Sequence, residues 1–137
     1  MTCAVRYYSM TGNTEKLAFA VAKEAGVEAK TVLEGLDEKV DVLFLGSAVY
    51  AAGVDEKIKT FISSLSPDKV GCVVNFSTAC LLPSTYKQVK KLVEARGVKM
   101  SDREFHCRGN FHGIHKNHPD EKDIEAMTAF TKEILGK

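Results

Sequence analysis

Ala4-Val5-Arg6-Tyr7-Tyr8 runs into Ser9-Met10-Thr11-Gly12-Asn13-Thr14, and that turn runs into a segment carrying Leu17, Ala18, Val21, Ala22 and Ala25. The first stretch has the β-branched and aromatic residues of a strand. The second combines hydroxyls, an amide and a glycine, a turn composition. The third repeats its apolar residues at helical spacing and stops at Gly26. Strand, hydroxyl-rich turn and helix in immediate succession open an alternation that the rest of the chain continues.

Further along, Lys30–Leu33 is a weak strand candidate, while Asp41-Val42-Leu43-Phe44-Leu45-Gly46 reads as a strand buried on both faces. Ile58, Phe61, Ile62 and Leu65 mark a second helix closed by Pro67. Val70 through Phe76 predicts a fourth strand. Pro83 opens a third helix with Tyr86, Val89, Leu92 and Val93, capped by Gly97. A fifth strand falls within Val98–Cys107. Pro119-Asp120 starts a last helix bearing Ile124, Met127, Phe130, Thr131 and Ile134. Such alternation predicts one α/β domain over residues 1–137, a parallel sheet with helices on both faces.

Composition narrows the function. The chain has 137 residues, 45% of them hydrophobic and 27% charged, as expected of a globular domain rather than a disordered tract. A formal net charge of +1 gives no polyanion footprint, so no nucleic-acid partner is expected. The apolar stretches fall well short of the ~18 residues of a membrane span, and no secretory signal is visible at the N-terminus. Cys3, Cys72, Cys80 and Cys107 are scattered without a C-x-x-C pair, which suits reduced thiols and a cytoplasmic location. A monomer is the default.

The turn at Ser9–Thr14 admits two readings. Ser, Thr and Asn favour helix N-caps, so it could be an ordinary cap. The first N–H groups of a helix also lack internal partners and sit at the positive end of its dipole, so the same residues could receive a phosphate. Neither G-x-x-x-x-G-K-[ST] nor G-x-G-x-x-G is present, which removes the commonest nucleotide loops.

Ser-x-Thr-Gly-Asn-Thr after a first strand closely resembles the phosphate loop of the flavodoxin family. Leu45-Gly46-Ser47-Ala48-Val49-Tyr50 is similar to that family's second flavin loop, Phe76-Ser77-Thr78-Ala79 to its third, and Pro119-Asp120 with the closing helix to its C-terminal pattern. The resemblance implies a flavodoxin-like three-layer sandwich, with a five-stranded parallel sheet in order 2-1-3-4-5 and FMN at the switch point. It implies that Ser9, Thr11, Asn13 and Thr14 hold the FMN phosphate, with Met10 and Gly12 giving backbone N–H groups. Tyr50 would cover one ring face, the backbone of Ala48, Val49, Ala51 and Gly53 would lie near N5, and Ser77, Thr78 and Ala79 would meet the pyrimidine through backbone groups. The chain departs from the family in having Ala51-Ala52 where a glycine often follows the aromatic, in lacking tryptophan, and in lacking strong acidity.

The expected function is electron transfer between redox partner proteins on non-covalent FMN, with no catalytic residue of its own. The alternative is an FMN-dependent reductase or dehydrogenase on the same fold, similar to quinone reductases or protoporphyrinogen oxidases. The basic stretch from Arg108 to Pro119, with Phe111 and His112, favours that alternative as a substrate cover or a docking loop. His106, Cys107, His112, His115 and His118 match no standard ligand spacing, so no metal is expected. Cys80 reads as a packing thiol.

Overall fold

In the computed structural model, residues 1–10, 12–49, 54–79, 84–108 and 119–136 are described. Among them the order is β1 (Cys3–Tyr7), α1 (Asn13–Ala25), β2 (Ala29–Thr31), β3 (Val40–Val49), α2 (Glu56–Ser63), β4 (Val70–Ala79), α3 (Tyr86–Glu94), β5 (Phe105–Arg108) and α4 (Glu121–Leu135). The strands form one five-stranded sheet in the order β2-β1-β3-β4-β5, every neighbouring pair parallel. This is the fold expected from the sequence. No helix among the described residues is long and apolar enough to cross a membrane.

Side-chain alternation along the central strands divides the core in two. Leu43, Leu45 and Val73 face one way and pack with Ile58, Phe61 and Ile62 of α2 and with Val89 and Val93 of α3. Val42, Phe44, Val74 and Phe76 face the other way and meet Leu17, Ala18 and Val21 of α1 and Met127 of α4. Each fully buried Leu, Ile or Phe contributes roughly 1.5–3 kcal/mol. Sandwiched between the two layers, β3 and β4 carry the apolar runs Val42–Leu45 and Cys72–Val74 because both of their faces are covered.

Strand boundaries shift from the sequence expectation, most notably in β3, β4 and β5. β3 continues through Gly46 to Val49, because Gly46 is paired with Tyr7 on one side and Phe76 on the other. β4 likewise continues past Phe76 to Ala79, through Ser77 and Thr78. β5 is confined to Phe105–Arg108, and the stretch before it touches the sheet only through an isolated bridge between Met100 and Val73. Arg6, unusual inside a strand, is 6% exposed. Its guanidinium donates to the carbonyls of Val5, Glu34 and Gly35, each at 3.0 Å, and so secures the turn before β3.

Candidate cofactor site at the carboxyl edge of the sheet

The carboxyl ends of β1 and β3 lie side by side, yet β1 leads through α1 to β2 at one edge while β3 leads through α2 to β4 on the other side. Such a reversal opens a crevice at the strand ends, where open α/β sheets bind ligands. The segment Ser9–Thr14 stands at its mouth.

Helix α1 begins after Gly12, whose φ of 86° is left-handed and which brings no side chain to cap it. The contrast within the chain is informative. Asp55 caps α2 by accepting from the Lys57 N–H at 2.8 Å, and Asp120 and Asp123 form a reciprocal capping box on α4. A Cβ at Gly12 would meet nothing within 4 Å, so the backbone angle rather than space demands glycine. Ser9 Oγ accepts the Gly12 N–H at 2.9 Å, which bends the turn and directs that N–H into the loop rather than outward. The first turn of α1 lies at the positive end of a 13-residue helix dipole. This setting fits the phosphate of FMN, an anion that a helix N-terminus binds without a lysine.

One of the expected phosphate ligands acts as a brace. Thr14 is fully buried, and its hydroxyl donates to the Ser47 carbonyl at 3.2 Å and lies 3.0 Å from Thr78 Oγ1. Its side chain thus ties α1 to β3 and β4, leaving its backbone for the anion. Thr14→Val should cost about 1–3 kcal/mol of stability by stranding Thr78 Oγ1 and the Ser47 carbonyl. Thr14→Ser should restore most of that loss in urea denaturation, and equal losses in the two variants would contradict the brace. Tyr7, at the end of β1, donates its hydroxyl to Glu15 Oε2 at 2.7 Å and holds that carboxylate in the first turn of α1.

Met10 is 65% exposed at the rim, and Asn13 is buried at the helix start. Ala48 is buried inside β3 rather than lying in a loop, and Val49 ends that strand. Ser77, Thr78 and Ala79 are ladder residues of β4, paired with Ser47, Ala48 and Val49 on one side and with His106, Cys107 and Arg108 on the other. They thus stand at the carboxyl end of β4, the edge at which the resemblance expects the pyrimidine. The expected contacts of Thr11, Tyr50, Ala51 and Gly53, the thiol of Cys80, and the loop with Phe111, His112, His115 and His118 lie outside the described residues.

The structure also brings in residues that the sequence reading passed over. Thr85 Oγ1 accepts from Ser47 Oγ at 2.9 Å and from Asn75 Nδ2 at 3.0 Å, and all three residues are fully buried. Ser84 donates to Glu104 Oε2 at 3.1 Å. The available signal was Asn75, an amide inside an otherwise apolar strand.

Comparison with known proteins agrees with this geometry. The flavodoxin domain pattern matches residues 4–112. An uncharacterized protein of Methanocaldococcus jannaschii is 29% identical over 90% of each chain. A flavodoxin from the domain Archaea has the same fold with a TM-score of 0.80 at 16% identity, covering 99% of this chain and 97% of that one. Oxidised flavodoxin 2 from Bacillus cereus gives 0.73 at 15% identity over 99% of each chain. The two structural likenesses show the fold. The domain pattern spans well over half of the sequence, and the chain belongs to the flavodoxin domain family.

Proposed function

We propose that the protein carries electrons between redox partner proteins on non-covalently held FMN. Bound FMN supplies the redox chemistry, taking up and returning electrons, while the protein fixes its position and tunes its surroundings. The observation that carries this reading is the start of α1: a left-handed Gly12, a turn bent by Ser9, and a place beside the switch point of a flavodoxin sheet. Ser9 shapes the turn, the first amides of α1 hold the phosphate, and Tyr7 keeps the Glu15 carboxylate turned to itself.

A fluorescence titration of the apoprotein with FMN, against riboflavin, tests the anchor. Charge-assisted hydrogen bonds contribute about 1.5–3 kcal/mol each, so losing two should weaken riboflavin binding by roughly 10²–10⁴-fold. Equal affinity for both flavins would place the anchor elsewhere. Holoprotein reduced by dithionite should then pass electrons rapidly to cytochrome c while oxidising NAD(P)H only slowly by itself. Fast NAD(P)H turnover by the isolated holoprotein would make it an enzyme instead of a carrier.

A further inference from the structure

Charge is spread unevenly over this near-neutral chain. The formal net charge is +1, yet residues 55–69 and 86–99, which form α2 and α3 with the turns after them, hold eight basic and four acidic residues. Residues 13–28 and 120–135, which form the helices on the other face, hold four basic and eight acidic ones. The basic excess lies on α3 and the turn after it, where Lys87, Lys90, Lys91, Arg96 and Lys99 accompany a single acid, Glu94. Val89 and Val93 bury the inner side of α3, while Lys87, Lys91, Arg96 and Lys99 are exposed.

Folding does not account for these charges. On α2, Lys59 is paired with Glu56 and Lys57 lies over the Tyr8 ring. On α3, Lys90 lies over the Tyr86 ring, but neither Lys87 nor Lys91 is ion-paired among the described residues. Lys87 and Lys91 are four positions apart, so like charges neighbour each other on the helix surface. Lys87 also stands in the first turn, at the positive end of the helix dipole, and no acid accompanies it there. Both placements oppose formation of α3. The same helix is tied to the candidate cofactor edge. Thr85, immediately before α3, accepts from Ser47 Oγ at 2.9 Å, and the Ser47 carbonyl accepts the Thr14 hydroxyl at 3.2 Å. The starts of α1 and α3 thus meet on one residue of β3, and Lys87 lies two positions beyond Thr85.

From this charge distribution we infer that the exposed face of α3 is a docking surface for an acidic protein. That the partner is a redox protein rests on the carrier reading above. The +1 total and the acidic excess of the α1/α4 face give no field that would gather a nucleic acid. The exposed residues of α3 are Lys87, Gln88, Lys91 and Glu94, which offer a membrane no apolar side chain to take up. Carboxylates on a partner would be steered to this face and would orient it beside the carboxyl edge of the sheet.

Titration with cytochrome b5, an acidic haem protein, tests the surface on the chain with and without FMN. At about 0.01 M ionic strength, where the Debye length is ~30 Å, the two should associate; at about 0.15 M, where it is ~8 Å, association should weaken. Lys87→Gln/Lys91→Gln should weaken the low-salt binding by roughly tenfold. Lys23→Gln/Lys122→Gln removes the same charge from the α1/α4 face and should change binding by less than about twofold. In urea denaturation Lys87→Gln/Lys91→Gln should be at least as stable as the wild type, because repulsion within α3 is relieved. Equal losses of binding in the two double variants would trace the effect to net charge and overturn the assignment. So would the absence of low-salt binding, or tighter binding of duplex DNA or phosphatidylserine vesicles than of cytochrome b5 through the same lysines. Association without FMN uptake would defeat the carrier reading and leave the docking face standing, whereas FMN uptake without association would do the reverse.

Discussion

Gly46→Ala should destabilise the apoprotein by about 3 kcal/mol or more, an unusually large effect for one added methyl group. Gly46 sits in the middle of β3, and a Cβ there would overlap the Phe76 ring and stand 3.0 Å from Thr14 Cγ2. Phe76 and Thr14 are both fully buried, so neither neighbour can swing out into solvent. The ring lies across the glycine because Gly46 and Phe76 are direct partners in the β3–β4 ladder. Strand and helix must part for the methyl to fit, and the part that moves is the first turn of α1. FMN affinity should therefore fall together with stability. Phe76→Leu opens space beside residue 46, so the double variant Gly46→Ala/Phe76→Leu should be less destabilised than the sum of the two single variants. Strict additivity in urea denaturation would mean that the methyl group meets some other obstacle.

Gly46 also shows where the sequence was legible and where it was not. The apolar stripe of α1 and its stop at Gly26 are local patterns, and the structure reproduces both. The same holds for Ile58, Phe61 and Ile62 on α2 and for Asp120 at the start of α4. Gly46, Ser47, Ser77 and Thr78 look like strand ends because glycine and hydroxyl residues ordinarily leave a sheet. They stay inside because their partners come from far along the chain. Thr78 finds Thr14 across 64 positions, and Ser47 finds Thr85 across 38. No window of local sequence contains both halves of such a pair. The family resemblance reached the phosphate turn, whose motif is contiguous, and missed the Ser84–Glu104 contact, which joins the residues before α3 to those before β5. Local chemistry was readable; long-range satisfaction of polar groups was not.

Raising the pH from 9 to 12 should remove on the order of 5 kcal/mol of stability, comparable to the whole margin of many domains. Burial, then the hydrogen bond to Glu15 and the charge of that carboxylate, push the Tyr7 phenol up to about 12. An unfolded tyrosine titrates near 10. Between those values the folded state keeps a proton that the unfolded chain has released, so stability falls as pH rises. That contribution is intact below pH 10, and about 3 kcal/mol of it is gone once pH passes 12. Cys107 adds to the loss in the same direction. Burial, followed by Asp123 and Asp120, pushes its thiol up to about 12, so its share starts to disappear near pH 9. Because Cys107 is only partly buried, solvent screening reduces its share below the full three-unit value. The phenol has a functional consequence as well. A Tyr7 phenolate 2.7 Å from Glu15 would repel the carboxylate it now holds, loosening the first turn of α1 where the phosphate binds. FMN should therefore be released before the fold is lost. Tyr7→Phe gives up about 1 kcal/mol at neutral pH with the hydrogen bond but has no phenol to ionise. Its stability should meet that of the wild type between pH 10 and 12 and exceed it above, and it should retain FMN to higher pH. Wild type and Tyr7→Phe declining in parallel across that window would show that the phenol is not the group being lost.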